Sequence, residues 1–152
     1  MHIEVDHLTR PEVRALLHEH LSNMYEITPP EYVFALDAAK LRQPGVTFWT
    51  AWESEVLLGC GALKELSPTE GEVKSMRTPQ ALRGRGAGRA ILQTIVEAAR
   101  ERGYATVYLE TGSHPDFLPA QRLYESFGFV RCGPFGEYVE NGSSVFMRLL
   151  LA

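Results

Sequence analysis

At 152 residues, 45% hydrophobic and 22% charged, the chain has the length and balance of one globular domain with a substantial core. A net charge of −4 and a pI of about 5.7 exclude a general nucleic-acid binder. No apolar run reaches the roughly 20 residues that span a bilayer, no basic-then-apolar leader opens the chain, and two widely separated cysteines, Cys60 and Cys132, suit a reducing compartment, so the expected location is the cytoplasm.

Residues 2–8 alternate polar and apolar, the pattern of a half-buried strand. Thr9 and Glu12, with Pro11 between them, form a capping-box signature for a helix carrying Val13, Leu16, Leu17, His20, Leu21 and Met24. Thr28-Pro29-Pro30-Glu31 repeats the device, predicting a second helix with Val33, Phe34, Leu36, Ala38 and Leu41, ended by Pro44-Gly45. Residues 46–52, 56–66 and 71–78 read as three strands joined by short turns, an antiparallel meander, with Gly59 and Gly61 marking a bulge or a close backbone approach.

A glycine-rich stretch follows, Arg83-Gly84-Arg85-Gly86-Ala87-Gly88-Arg89, and then Ile91, Ile95, Ala98 and Ala99 recur at helical spacing up to Gly103. Residues 106–109 are a buried-type strand, so 72–110 read as a right-handed parallel crossover. A helix over about 119–127 and strands over 129–133 and 144–150 complete the chain.

A glycine loop between strand and helix can turn backbone N–H groups around an anion, and the helix start adds unpaired N–H groups and the positive end of its dipole. The stretch is not a P-loop, because Gly88 is followed by Arg89-Ala90 and not by Lys-Ser/Thr. Nor is it a dinucleotide fingerprint, whose third glycine would fall at Arg89. What remains is Arg-x-x-Gly-x-Gly from Arg83 to Gly88, followed downstream by Leu123-Tyr124-Glu125-Ser126-Phe127-Gly128-Phe129.

That pair of motifs, in that order, resembles the GCN5-related N-acetyltransferase (GNAT) superfamily, and the element order fits its fold over nearly the whole chain. The resemblance implies an α+β fold with a central mixed sheet of about seven strands flanked by about four helices. It implies a single N-acetyltransferase domain over residues 1–152, using acetyl-CoA. Backbone N–H groups of Arg83, Gly84, Arg85, Gly86, Ala87, Gly88 and Arg89 would hold the coenzyme A pyrophosphate. Met76, Arg77 and Thr78 lie on the strand whose backbone pairs with the pantetheine arm in the family. Tyr124 matches the position of a general acid for the departing thiolate, and Ala120 would let the cofactor pass closely. One departure stands out: members often carry Asn after the fifth strand, where this chain reads Glu110-Thr111-Gly112-Ser113.

An amine with a pKa near about 10 must lose a proton before it attacks a thioester. Glu72 and Glu110, on neighbouring strands, are the candidate bases, although strand alternation can equally turn either to solvent. His18 and His20 diverge on their helix, which argues against a metal site, and Cys60 has no evident histidine partner for nucleophilic work. By family resemblance the acceptor would bind among Met24, Tyr25, Ile27, Pro29, Trp49 and the loop 134–144, with Phe135 and Tyr138 lending aromatic walls. Arg77, Arg122 and Lys74 are candidates to meet a carboxylate, which would favour an amino acid or related metabolite. A protein amine and an aminoglycoside-like polyamine stay open. The expected activity is direct acetyl transfer to a primary amine of a small molecule, with no nucleic acid or membrane partner and the exposed edges of the last strands able to pair two copies. The alternatives are a non-catalytic acyl-CoA-binding module of the same fold and a nucleotide-phosphate binder.

Overall fold

The N-terminal alternation yields β1 (His2–Val5), shorter than the pattern suggested. Asp6 ends it: its carboxylate accepts the Leu8 N–H (2.7 Å), the Thr50 hydroxyl (3.1 Å) and an Arg10 N–H, drawing the chain into a turn with Leu8 at φ 61°. Helix α1 (Pro11–Ile27) buries Val13, Leu16, Leu17 and His20 along one stripe. Its N-cap is Arg10, with no side-chain cap; Pro11 preorganises the first turn, and the expected Thr9 capping box does not form.

The second predicted helix is mostly not there. A single 3-10 turn (Pro30–Tyr32) leads into extended chain, and only α2 (Ala38–Leu41) is helical, capped by Asp37 through the Lys40 N–H at 2.9 Å. Pro30 holds the residue before it extended, with Pro29 at ψ 139°, so the Thr28 signature cannot open a long helix. Val33 and Phe34 turn instead toward a cavity.

In this computed structural model, which describes residues 1–151, β2 (Val46–Glu53), β3 (Val56–Ser67) and β4 (Glu70–Arg77) form the expected antiparallel meander. Helix α3 (Ala87–Glu101) crosses to β5 (Thr106–Gly112), which lies parallel to β4; α4 (Leu118–Ser126), β6 (Val130–Cys132) and β7 (Ser144–Leu150) follow. The sheet order is β1-β2-β3-β4-β5-β7-β6. This is the α+β, seven-stranded mixed sheet that the motifs implied. Strand β7 lies inside the sheet, so the three residues of β6 make that edge, and the last strands offer less free edge than expected.

Strand alternation divides the core between the two faces. On one, Ile91, Leu92, Ile95 and Val96 of α3 pack with Leu63, Val73 and Leu109. Each such large apolar side chain contributes about 1.5–3 kcal/mol on burial. Gly61 lets α3 come this close: a Cβ there would stand 2.5 Å from Met76 Sδ and 2.7 Å from Ile91 Cγ2. On the other face α1 and α2 cover Phe48, Trp52, Cys60 and Ala62.

Candidate functional site

The sheet opens at its middle. Strands β4 and β5 pair from Glu70↔Thr106 to Val73↔Leu109 and no further, although β4 runs on to Arg77 and β5 to Gly112. On its other side β4 is bulged, its register with β3 passing from Ala62↔Lys74 to Cys60↔Arg77. Ser75 sits in the bulge at φ 56°, a left-handed conformation that costs a non-glycine residue energy and that clusters at functional sites. The parted strands leave main-chain N–H and C=O groups without a strand partner, a demand that a ligand can meet.

A cavity of about 110 Å³ fills the opening. Lys74, Ser75 and Met76 of β4 and Glu110, Thr111 and Gly112 of β5 form two walls. Ala120 and Tyr124 of α4 form a third, and His20, Met24, Tyr32, Val33 and Phe34 close the α1 side. Of the residues named from sequence, Met24, Lys74, Met76, Glu110, Ala120 and Tyr124 therefore meet at one place, and Glu72 stands one residue before the wall formed by Val73 and Lys74.

The glycine loop runs from the end of β4 to the start of α3. Gly84 and Gly86 both hold φ 83°, which L side chains rarely adopt, and Gly86 is the left-handed N-cap of α3. The first helical hydrogen bond is Ala90 N–H to Gly86 C=O at 3.0 Å, so the N–H groups of Ala87, Gly88 and Arg89 lack intrahelical acceptors and lie at the positive end of the helix dipole. Thr78, just beyond β4, places Oγ1 3.9 Å from where a Cβ on Gly88 would stand, tying the end of the strand to the loop. Arg83 and Arg85 flank the loop as exposed cations. Arg89 turns away from it to donate to Ser126 Oγ at 3.1 Å and lie over the Phe127 ring, bracing α4.

Tyr124 is buried, with its ring edge-on to Phe129 at 5.9 Å. Burial, and then the Glu110 carboxylate, push its hydroxyl well above the ordinary phenol range. Glu110 carries no bound cation; burial lifts it to about 7, with Ser144 and Lys74 pulling the other way and Glu72 adding to the rise. Glu72 is 3% exposed and already engaged: its Oε2 accepts from Lys74 Nζ at 3.2 Å and Tyr138 OH at 2.6 Å, while Lys74 also donates to Tyr138 at 2.9 Å. This triangle ties the β6–β7 loop to β4, and Tyr138 meets Phe34 edge-on at 5.0 Å.

The acceptor side differs from the sequence expectation. Tyr25 is 56% exposed and, like Ile27 and Pro29, is absent from the cavity wall, while Trp49 belongs to the α3-side core. Phe135 stacks on Tyr108 at 4.7 Å instead of facing the opening. The cations proposed for a carboxylate are committed or distant: Arg77 bonds Asn23 (2.9 Å) and Glu19 (3.0 Å), Lys74 is held in its triangle, and Arg122 is exposed and outside the wall. Sequence reasoning missed Ser75 and Tyr32 and did not place His20 at the site; His20 was visible as a member of an apolar stripe and, with His18, as an unsuitable metal pair. Cys60 is buried, donates to the Ser75 carbonyl at 3.3 Å and has its thiol pushed up to about 12, so it cannot serve as a nucleophile near neutral pH. Among the described residues, no helix is long and apolar enough to cross a membrane.

The Acetyltransferase (GNAT) family model matches residues 11–129. Uncharacterized N-acetyltransferase YsnE of Bacillus subtilis (strain 168) is 52% identical over 147 residues, 97% of each chain. Uncharacterized N-acetyltransferase YedL of Escherichia coli (strain K12) is 44% identical over 98% of this chain and 94% of its own. Among solved structures, a Bacillus subtilis acetyltransferase in complex with CoA superposes with a TM-score of 0.67 at 20% identity, over 99% of this chain and 98% of that one. Parted strands, a glycine-capped helix start and full-length relatives converge: the chain belongs to the Acetyltransferase (GNAT) family and is an N-acetyltransferase.

Proposed function

We propose that the chain is a single N-acetyltransferase domain that moves an acetyl group from acetyl-CoA directly to a primary amine of a small molecule. The observation that carries this is the convergence of Tyr124 and Glu110 on the cavity between β4 and β5, with the glycine loop leading from the end of β4 to the start of α3. The loop fits a pyrophosphate because left-handed Gly84 and Gly86 and the free N–H groups of Ala87–Arg89 offer donors and positive potential, with Arg83 and Arg85 beside them. The backbone of Met76–Thr78, which has no β5 partner, fits an extended amide-bearing arm, and Ala120 leaves room for it. Acetyl-CoA, once bound, supplies the acyl group as an activated thioester.

Glu110 accepts the proton of the incoming ammonium. A carboxylate lifted to about 7 is half ionised near neutrality and far more basic than an exposed one. Glu72, whose Oε2 is taken by Lys74 and Tyr138, instead holds the β6–β7 loop. Tyr124 stays protonated through the neutral range and can hydrogen-bond the departing sulfur. Once Glu110 has taken up a proton its negative charge is gone, and with it one of the two causes that hold the Tyr124 hydroxyl high. Proton uptake at Glu110 thus makes Tyr124 a better acid at the moment the thiolate needs a proton. Positioning supplies much of the remaining acceleration, and the inert Cys60 is consistent with transfer lacking a covalent enzyme intermediate.

Thermal unfolding with acetyl-CoA, free coenzyme A and ATP tests the donor. Ligand at about 100 times its Kd stabilises by roughly 2.7 kcal/mol, several degrees in a chain of this size. A shift with acetyl-CoA but not ATP, followed by amine-dependent release of free thiol, is expected. No shift at millimolar acetyl-CoA would refute the donor assignment, and a shift with no thiol release from any amine would favour an acyl-CoA-binding module.

A further inference from the structure

Two residues that line the cavity each carry a buried polar atom with no partner among the described residues: His20 Nδ1 and Ser75 Oγ. Both residues are 8% exposed. Folded proteins leave few buried polar groups unpaired, because each forfeits its hydration without return. One on the α1 side of the cavity and one on its β4 wall mark where a ligand's polar group belongs. They come from different elements, α1 and the β4 bulge, and Ser75 is presented by a left-handed backbone that its side chain disfavours.

The chemistry of the missing partner follows from what the pair offers. Burial, and then the positive charge of Arg77, lower the His20 imidazole to about 4, so the ring is neutral, with one donor and one acceptor nitrogen. The Ser75 hydroxyl can donate and accept. A neutral group that does both, a hydroxyl or a primary amide, matches the pair. A carboxylate can only accept, and it would bring negative charge to a cavity that already holds Glu110 and lies next to Glu72. The nearby cations do not offset it, since Lys74 is held by Glu72 and Tyr138 and Arg77 by Glu19 and Asn23. Met24, Val33 and Phe34 supply an apolar surround.

Building on the acetyl-transfer reading, we propose that His20 and Ser75 form a specificity subsite that binds a neutral hydroxyl or amide group of the acceptor, an amine otherwise apolar, and that amines with a free carboxylate are rejected. Neither residue touches the reacting atoms in this scheme. They position the acceptor so that its nitrogen reaches Glu110.

The test uses four matched acceptors, 2-phenylethylamine, phenylalaninol, phenylalaninamide and phenylalanine, with saturating acetyl-CoA. Thiol release is read as kcat/KM per free amine. Phenylalaninol and phenylalaninamide are expected to exceed 2-phenylethylamine by about tenfold or more, and phenylalanine to fall below it by about as much. In Ser75→Ala and His20→Leu the ratio of phenylalaninol to 2-phenylethylamine should drop toward one, and the acetyl-CoA thermal shift reports that each variant is folded with its donor site in place. Phenylalanine turned over as well as phenylalaninol, or a ratio unmoved in both variants, overturns the subsite while leaving acetyl transfer standing. Release from none of the four despite an acetyl-CoA shift also overturns it, whereas loss of that shift in the wild type overturns the transfer reading beneath it.

Discussion

Replacing Glu110 by glutamine separates a working base from a buried structural carboxylate. In the fold this carboxyl is lifted from an ordinary 4.5 to about 7, chiefly by burial, and no cation is bonded to it. The unfolded chain therefore releases the proton first as pH rises. Between about 4.5 and 7 the folded state binds more protons than the unfolded one, so stability falls with rising pH across that window and the loss is complete above it. At about 1.4 kcal/mol per pH unit, the gap amounts to about 3 kcal/mol. Glu110→Gln keeps the shape and cannot ionise, so its stability advantage over wild type should grow by about 3 kcal/mol between pH 4.5 and 8.5, roughly 6–12 °C in Tm. Urea unfolding of both proteins at the two pH values measures this. Activity supplies the second half of the test: wild-type kcat/KM should inflect near pH 7 as the base ionises, and Glu110→Gln should lose that inflection together with about 10²–10⁴-fold in rate. The rise due to the amine's own deprotonation persists in both. A stability difference that does not change with pH would refute the buried, unpaired carboxylate, and a variant with wild-type rate and inflection would refute the base.

Tyr124→Phe should lower kcat by about 10²-fold or more while acetyl-CoA still raises Tm, because only the hydroxyl is lost; unaltered turnover would leave Tyr124 as a core residue. Gly86→Ala places a Cβ on a backbone at φ 83°, costing about 1–2 kcal/mol and weakening donor binding, which calorimetric titration with coenzyme A would detect; unchanged affinity would remove the loop from the pyrophosphate site. Tyr138→Phe deletes the hydroxyl that bonds both Glu72 and Lys74, so denaturant unfolding should show a loss of about 1–3 kcal/mol and kinetics a raised KM for the amine. A loss inside measurement error would mean that the triangle does not hold the loop.

The local order of this protein is legible in its sequence because it rests on short-range physics. The β-branched and aromatic residues of 46–52, the apolar run that continues it after a short turn, the helical stripe of Ile91 and Ile95, and glycines 84, 86 and 88 ahead of it specify strands, helix and turn from neighbours alone. The crossover from β4 to β5 follows from chain handedness, and Tyr124 and the loop were found as motifs. Even locally, context overrode pattern at Thr9 and at Thr28, where prolines and a better cap at Asp37 decided the outcome.

The site itself required the tertiary structure. Whether Glu72 or Glu110 is free depends on Tyr138, which comes from a loop far along the chain, and on Lys74, whose direction is set by sheet register. Register also sends Arg77 to Glu19 and Asn23, which removes the cation that would have suited an amino acid acceptor. The Ser75 bulge appears only when β3 and β4 are aligned, and His20 becomes a cavity residue only when α1 docks on that bulge. Propensity and motif are carried by neighbouring residues, whereas charge pairing, burial and unpaired hydrogen-bonding groups are properties of residues brought together from distant parts of the chain.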